Sequence, residues 1–332
     1  MSDTVLADVR WGIIGAGDVC EVKSGPALQR AAGSSLVAVM RRDGAKAADF
    51  ARRHGVPKWY DDADALIADP DINAIYVATP PAAHADITAR AAAAGKPVYV
   101  EKPMARTHAE CLAMLQACSA AGVKLFVAYY RRRLPNILKV KALLRDGVIG
   151  ELLHVDVRLS KPLGPAARDP ANWRVDPVLA GGGLFYDMGS HQLDVLDYLL
   201  GPIVAASGMA ANRAGGYATT AEDTTVGHWR HESGVLGHGT WCFAAPEEDC
   251  ITLTGTKGSI RFDCFTAQQV TRADEGGAAE LFSFEIPPHI QQPLVQTVVD
   301  DLRGVGTCPS TGVSGARTSW VLDQLCQRVD SP

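Results

Sequence analysis

The chain has 332 residues, 47% of them hydrophobic and 21% charged, with a formal net charge of −5 and an isoelectric point near 6.0. That is more than one hydrophobic core usually fills, so two globular domains are expected, and the acidic balance offers no electrostatic footprint for nucleic acid or an anionic membrane. No charged-then-apolar leader opens the sequence and no apolar run reaches the roughly 18 residues of a membrane span, which points to the cytoplasm.

Val9, Trp11, Ile13 and Ile14 mark a short buried strand that runs into Gly15-Ala16-Gly17 and then a helical pattern from Asp18. A strand, tight turn and helix in that order is a place for a dinucleotide pyrophosphate. Gly15 permits the turn, Gly17 lets the backbone approach the phosphates, and the free N–H groups and positive dipole end of the helix face them. The third position of the G-x-G-x-x-G pattern is Cys20 rather than Gly or Ala. A second strand over 35–40 ends at Arg41 and Arg42, where an acidic residue would pair with a ribose hydroxyl. Two guanidinium groups there suit a 2′-phosphate, so NADP is the expected cofactor. NAD stays open as the alternative, because the arginines also read as solvated loop charges and Asp43 follows them.

Asp43 caps a helix to Arg53 that stops at Gly55, and Asp61 or Asp62 starts another containing Leu66 and Ile67. The apolar run over 72–78 reads as a parallel strand buried on both faces, ending at Thr79-Pro80-Pro81. A helix through Ala94 closes at Gly95, and a strand over 98–100 delivers Glu101-Lys102-Pro103. Thr107 and Glu110 form a capping box for a helix to Ala121, closed by Gly122, before a last strand over 125–129. This alternation predicts an α/β, doubly wound parallel sheet over residues 1–128, with Gly15, Arg41, Thr79, Lys102 and Tyr130 along the carboxyl rim of the strands.

From Leu152 the pattern changes: Leu153, Val155, Val157 and Leu159 alternate with His154, Asp156 and Arg158, as in a half-exposed antiparallel strand. Further strands are expected over 203–209, 224–231, 235–243, 251–254, 260–265 and 281–286, with helices over 291–303 and 314–328. Residues 129–332 therefore read as an α+β domain on a large, mostly antiparallel, open-faced sheet. Trp229, Trp241 and Phe243 are placed on its outer face, which predicts a homodimer or homotetramer through the sheet. Eight scattered cysteines without C-x-x-C or zinc spacing read as buried free thiols, and no metal is expected.

The stretch GGGLFYDMGSHQLDVLDYLLG, residues 181–201, carries the candidate chemistry. If its helix already runs at Asp187, then Asp187, His191 and Asp194 share one face. A carboxylate one turn from an imidazole fixes its tautomer and raises its basicity, as a proton-transfer histidine requires. The plainer alternative is a dipole-matched Asp187 and a satisfied core His191. Lys102 favours the catalytic reading: desolvation or a neighbouring cation can lower an amine from ~10.4 towards ~7 to 8, where it donates to a reacting oxygen.

In order, GIIGAGDV (12–19), ATPPAAH (78–84), Glu101-Lys102-Pro103, Asn172-Trp173-Arg174 and GGGLFYDMGSHQLD (181–194) cover nearly the whole chain. The set resembles the glucose-fructose oxidoreductase, inositol dehydrogenase and rhizopine-catabolism (Gfo/Idh/MocA) family of NAD(P)-dependent oxidoreductases. The resemblance implies hydride transfer between nicotinamide and a carbon of a sugar or cyclic polyol. It implies a Rossmann domain plus an open-sheet domain, Lys102 as the catalytic lysine, and Asp187 with His191 as the acid/base pair. It places Gly15, Ala16, Gly17, Asp18, Val19, Thr79, Pro80, His84, Glu101 and Lys102 against the cofactor, makes Lys102-Pro103 a cis peptide, and brings Trp173 and Arg174 to the nicotinamide or substrate. Tyr130 and Arg131 join Lys102, Trp173, Arg174, Asp187 and His191 as expected substrate-pocket residues. Cys20, and Tyr129-Tyr130-Arg131 where many members carry an Asn-Arg pattern, depart from the family and leave the sugar open. A nicotinamide-dependent glycoside hydrolase and a non-catalytic nucleotide-binding regulator of the same fold are the alternatives. The acid/base reading requires the Lys102 amine and the His191 imidazole, from separate domains, to meet at one carbon.

Overall fold

Short apolar runs separated by helical patterns bury both faces only in a parallel sheet covered by helices. The computed structural model, which describes residues 5–169, 171–215, 217, 219–266 and 268–327, has this sheet. Its strands are β1 (Val9–Ile14), β2 (Ser34–Met40), β3 (Lys58–Tyr60), β4 (Ala74–Val77), β5 (Val98–Val100) and β6 (Leu125–Val127), all parallel, in the order β3-β2-β1-β4-β5-β6. The order reverses between β1 and β4, and in such sheets that crevice is where ligands sit. Asp43 caps the Gly44–His54 helix and Asp62 caps Ala63–Ala68, while Gly55 and Gly122 end their helices in the left-handed conformation. Thr107 takes the Glu110 N–H, but the Glu110 carboxylate turns back to Arg106, so only half of the expected capping box forms. β3 had no sequence signal: it is a three-residue edge strand with Trp59 exposed.

The chain divides into two units, one formed up to Tyr130 together with Pro287–Ala316, the other by Arg131–Ile286 with the chain from Arg317 on. The Gln292–Leu302 helix, expected in the second domain, thus packs in the first. It buries Leu294, Val295, Val298, Val299 and Leu302, and Gln296 bonds both the N–H and the C=O of Ala32.

The second unit is built on β7 (Leu152–Ser160), β8 (Ile203–Ala211), β9 (Thr224–His231), β10 (Leu236–Cys242), β11 (Glu248–Gly255), β12 (Gly258–Phe262), β13 (Gln269–Asp274) and β14 (Ala279–Ser283), in the order β14-β13-β12-β11-β7-β10-β9-β8. The sheet is mostly antiparallel, but β7 is not wholly so: it runs antiparallel to β11 and parallel to β10. Val155, Val157 and Leu159 are buried as their alternation requires, whereas Leu153 is exposed. β13 went unread because QVTRAD buries a single apolar residue, Val270.

The expected outer face of this sheet is corrected. Trp229, Trp241 and Phe243 lie in the core with Ile137, Val140, Leu193, Leu196 and Leu322. Alternation specifies that these aromatics share a side; packing decides which side. Glycines leave room for the indoles to lie flat: a Cβ on Gly237 would sit 2.3 Å from the Trp229 ring, and one on Gly239 2.6 Å from that of Trp241. The solvent face carries instead His228, Arg230, His238, Thr240 and Arg158, with exposed Met209, Val226, Leu236 and Leu281 among them. Gly237→Ala is therefore expected to destabilise the chain by about 1–3 kcal/mol through overpacking, read as a lower urea midpoint at unchanged slope.

Candidate active site

The nucleotide-binding features begin at the carboxyl end of β1. Gly15 has φ 90°, and a Cβ there would meet the Thr79 backbone N at 2.8 Å, so no other residue fits. Gly17 differs: a Cβ there would meet nothing closer than the Gly15 oxygen at 3.8 Å. Protein packing does not demand that glycine, and the open space before it is the cradle a pyrophosphate needs. The N–H groups of Gly15 and Ala16 bond the Met40 carbonyl, and Asp18 and Val19 start the Asp18–Val22 helix. Thr79, just past β4, has a buried hydroxyl without a hydrogen-bond partner among the described residues, followed by Pro80. The residues present fit a nicotinamide dinucleotide.

Cys20, at the divergent fingerprint position, is fully buried and its thiol is pushed up to about 12 by burial, so it is a packing group rather than a nucleophile. Close approach is supplied further on, where a Cβ on Gly25 would sit 2.3 Å from the Cys20 oxygen. Arg41 is half-buried and Arg42 exposed, while the Asp43 carboxylate accepts the Lys46 N–H at 3.1 Å and pairs with its Nζ at 3.5 Å. The Asp43 carboxylate thus serves as the N-cap of its own helix.

The turn after β5 is held from below. Glu101 is buried, and its Oε1 accepts Tyr76 Oη at 2.6 Å and Gln291 Nε2 at 2.7 Å, while Oε2 accepts the Lys102 N–H at 3.1 Å. Its carboxylate therefore fixes the backbone that presents the half-buried Lys102. The Lys102-Pro103 bond is cis. His84 is also wholly buried, with its ring nitrogens against the Met104 carbonyl at 3.1 Å and the Thr79 carbonyl at 2.8 Å, and burial lowers its pKa. It ties the turn after β4 to the turn after β5. Neither Tyr76 nor Gln291 was singled out from the sequence. A tyrosine inside a doubly buried strand needs a hydroxyl partner and was a readable signal; Gln291, 190 residues from Glu101, offered none.

In the second unit, residues Phe185–Gly189 form a π-helical turn before the Ser190–Leu200 α-helix. The glycines ahead of it are required by contact: a Cβ on Gly183 would sit 2.3 Å from the Glu222 backbone oxygen, and one on Gly182 2.2 Å from the Tyr186 ring. The buried Glu222 carboxylate accepts the Gly183 N–H at 2.7 Å. Asp187, three-quarters buried, has its Oδ2 3.9 Å from Arg174 Nε, and Arg174 lies over the Trp173 ring at 4.5 Å. These three expected residues are thus brought together. His191 is 4% exposed, one residue into the α-helix.

Asp194, expected on the same face as Asp187 and His191, is held by arginine. Its oxygens take Arg132 Nε at 2.8 Å and Nη2 at 2.6 Å, within a buried cluster completed by Asp197 and Arg317. Burial pushes the Asp194 carboxyl up, against the pull of Arg132. His191 and Asp194 stay one turn apart in the Ser190–Leu200 helix, and the π turn over Phe185–Gly189 changes only the offset of Asp187 from them. Arg131 is likewise committed: it is buried, donates from Nη1 to the Cys264 carbonyl, and stacks over the Phe265 ring at 4.4 Å. Tyr130 is buried in the first unit. No cluster of His, Cys, Asp or Glu among the described residues could hold a metal, and no helix among them is long and apolar enough to cross a membrane.

Residues 9–129 match the family described as "Oxidoreductase family, NAD-binding Rossmann fold", and residues 137–261 match "GFO/IDH/MocA C-terminal domain". An oxidoreductase of Formosa agariphila is 37% identical over 323 residues, covering 96% of this chain and 98% of its own. The 1,5-anhydro-D-fructose reductase of Ensifer adhaerens is 30% identical over 252 residues, 76% and 74% of the two chains. The structure of aldose-aldose oxidoreductase from Caulobacter crescentus complexed with glycerol superposes with a TM-score of 0.85 at 26% identity, over 96% of each chain. Levoglucosan dehydrogenase in complex with NADH and levoglucosan gives 0.86 over 96% of each chain, and at 22% identity it shows the shared fold.

Proposed function

The chain belongs to the Gfo/Idh/MocA family of oxidoreductases, and we propose that it interconverts an alcohol and a carbonyl on a sugar or cyclic polyol, with Lys102, Asp187 and His191 as its catalytic groups and NADP as the preferred cofactor. The observation that carries this reading is the way each group is presented. Lys102 stands on a turn whose backbone is locked by the buried Glu101, and Asp187 and His191 stand on either side of a π-to-α junction. Bound nicotinamide supplies or takes up the hydride at the reacting carbon. Lys102 hydrogen-bonds the substrate oxygen, and His191, oriented by Asp187, takes the hydroxyl proton on oxidation and returns it on reduction. Trp173 and Arg174, stacked beside Asp187, line the pocket, and a sugar or polyol supplies the hydroxyl groups that such polar and aromatic side chains bind. The kinship with a sugar-ketone reductase and an aldose-aldose oxidoreductase supports that class.

A panel of 1,5-anhydro-D-fructose, levoglucosan, myo-inositol and D-glucose, assayed in both directions with NADP(H) and NAD(H), is expected to give turnover with at least one member. Lys102→Met and His191→Asn are each expected to lower kcat/KM by about 10²- to 10⁴-fold with the fold intact by circular dichroism. Full activity in Lys102→Met sinks the assignment. Loss of a glycosidic substituent without net change in nicotinamide absorbance identifies the hydrolase instead.

Arg41 and Arg42 support the NADP preference, since Asp43 is engaged by Lys46 and leaves the guanidinium groups to face a 2′-phosphate. Removing both is expected to weaken NADPH binding about tenfold or more and to leave NADH nearly unchanged, as charge-assisted bonds to phosphate predict; equal losses for the two coenzymes count against it. The eight free cysteines suit a reducing, cytoplasmic setting. Self-association is proposed through the solvent face of the second sheet, where Met209, Val226, Leu236 and Leu281 are exposed. Sedimentation at micromolar concentration is expected to give a dimer or tetramer, and a monomer mass refutes it.

A further inference from the structure

We propose that Phe265 is a positioning residue for the acid/base histidine, held for that purpose by a bend whose backbone is tied down on all sides; the inference rests on His191 being that histidine. Phe265 lies between β12 and β13. Its ring stands edge-on to the His191 imidazole, with centroids 6.0 Å apart and planes at 79°, and carries the Arg131 guanidinium 4.4 Å from its centre. A half-buried aromatic on a connecting bend ordinarily has freedom to swing.

Here the bend has little. Asn136 Nδ2 donates to the Asp263 carbonyl at 3.3 Å and Arg131 Nη1 donates to the Cys264 carbonyl. Asp249 Oδ2 accepts both the Cys264 N–H at 2.9 Å and the Phe265 N–H at 2.6 Å. Four consecutive backbone groups are thus satisfied by three side chains, two from the stretch 131–136 and one from β11. The other Asp249 oxygen takes Gln192 Nε2 at 3.2 Å, and the Gln192 oxygen takes the Trp241 indole N–H at 2.7 Å. Gln192 is the residue next to His191, so one carboxylate fixes both the helix at the histidine and the bend at the ring that faces it.

Asp249 also stands where sheet packing has no use for a charge. It shares the core-facing side of β11 with the buried Ile251 and Leu253, and burial raises its pKa. A carboxylate in that place costs desolvation and is retained only for what it holds. What it holds is the Phe265 backbone. A fixed ring on one side of the imidazole limits rotation of His191, which keeps its proton-transferring nitrogen aimed at the substrate oxygen through the reaction.

Diethyl pyrocarbonate followed by peptide mass spectrometry reads His191 without any substrate. Phe265→Ala is expected to speed carbethoxylation of His191 several-fold, to leave the exposed His154, His228 and His238 at their wild-type rates, and Phe265→Tyr to restore protection. On the panel substrate turned over fastest, Phe265→Ala is expected to lower kcat about tenfold with KM within about twofold, and Phe265→Tyr to recover it. An unchanged His191 rate in Phe265→Ala, or a rise in KM at constant kcat, overturns the positioning role. If His191→Asn keeps wild-type turnover, the acid/base reading fails on its own account, and the carbethoxylation rates still decide whether Phe265 holds the ring.

Discussion

A buried or half-buried carboxylate accepting backbone N–H groups recurs at the turns that carry or flank the candidate catalytic side chains. Glu101 takes the N–H of Lys102, Glu222 takes that of Gly183 ahead of Asp187, and Asp249 takes those of Cys264 and Phe265 beside His191. Side chains at strand ends and bends are placed only as well as their backbone is, and a charge-assisted bond to an N–H fixes the backbone itself. Two of these carboxylates offset their desolvation with several bonds at once. Glu101 is also bonded by Tyr76 and Gln291, and Asp249 by Gln192.

Packing does the complementary work where a side chain would be in the way. Gly182 and Gly183 sit against Tyr186 and Glu222, and a Cβ on Gly189 would strike the Phe185 ring at 2.6 Å. In the G-G-G-x-x-x-x-x-G spacing before His191, Gly182 and Gly189 make room for rings of the wide π turn and Gly183 for the Glu222 backbone, while Gly181 takes a left-handed φ of 91°. The same turn changes the offset of Asp187 from the helix that follows. Downstream, Arg132 and Arg317 neutralise Asp194 and Asp197, so the helix carrying His191 is anchored by ion pairs on the side away from its first turn. Breaking one such partner strands a buried charge, which makes the anchor stiff.

Much of the architecture was legible because it depends on periodicity and caps. Continuous apolar runs gave the doubly buried strands, Asp43, the Asp61-Asp62 pair and Thr107 gave helix starts, and Gly55 and Gly122 gave helix ends, all local signals. β3 and β13 escaped because one is a three-residue edge and the other buries only Val270. The aromatic strands of the second sheet show the limit of a period-2 pattern: it groups Trp229 and Trp241 with the glycines that accommodate them but carries no sign for inside or outside.

The sequence by itself determined the two kinds of sheet, the phosphate-cradling turn at Gly15 to Gly17, and the residue types offered for proton and hydride chemistry, because each rests on neighbours a few positions apart. Tertiary structure alone decided which carboxylate serves which partner. Asp194 goes to Arg132, 62 positions away, Glu101 to Gln291, 190 positions away, and Asp249 to the Phe265 bend. Those pairings follow from how strands and helices cross in space, and a one-dimensional pattern records only that the charges exist.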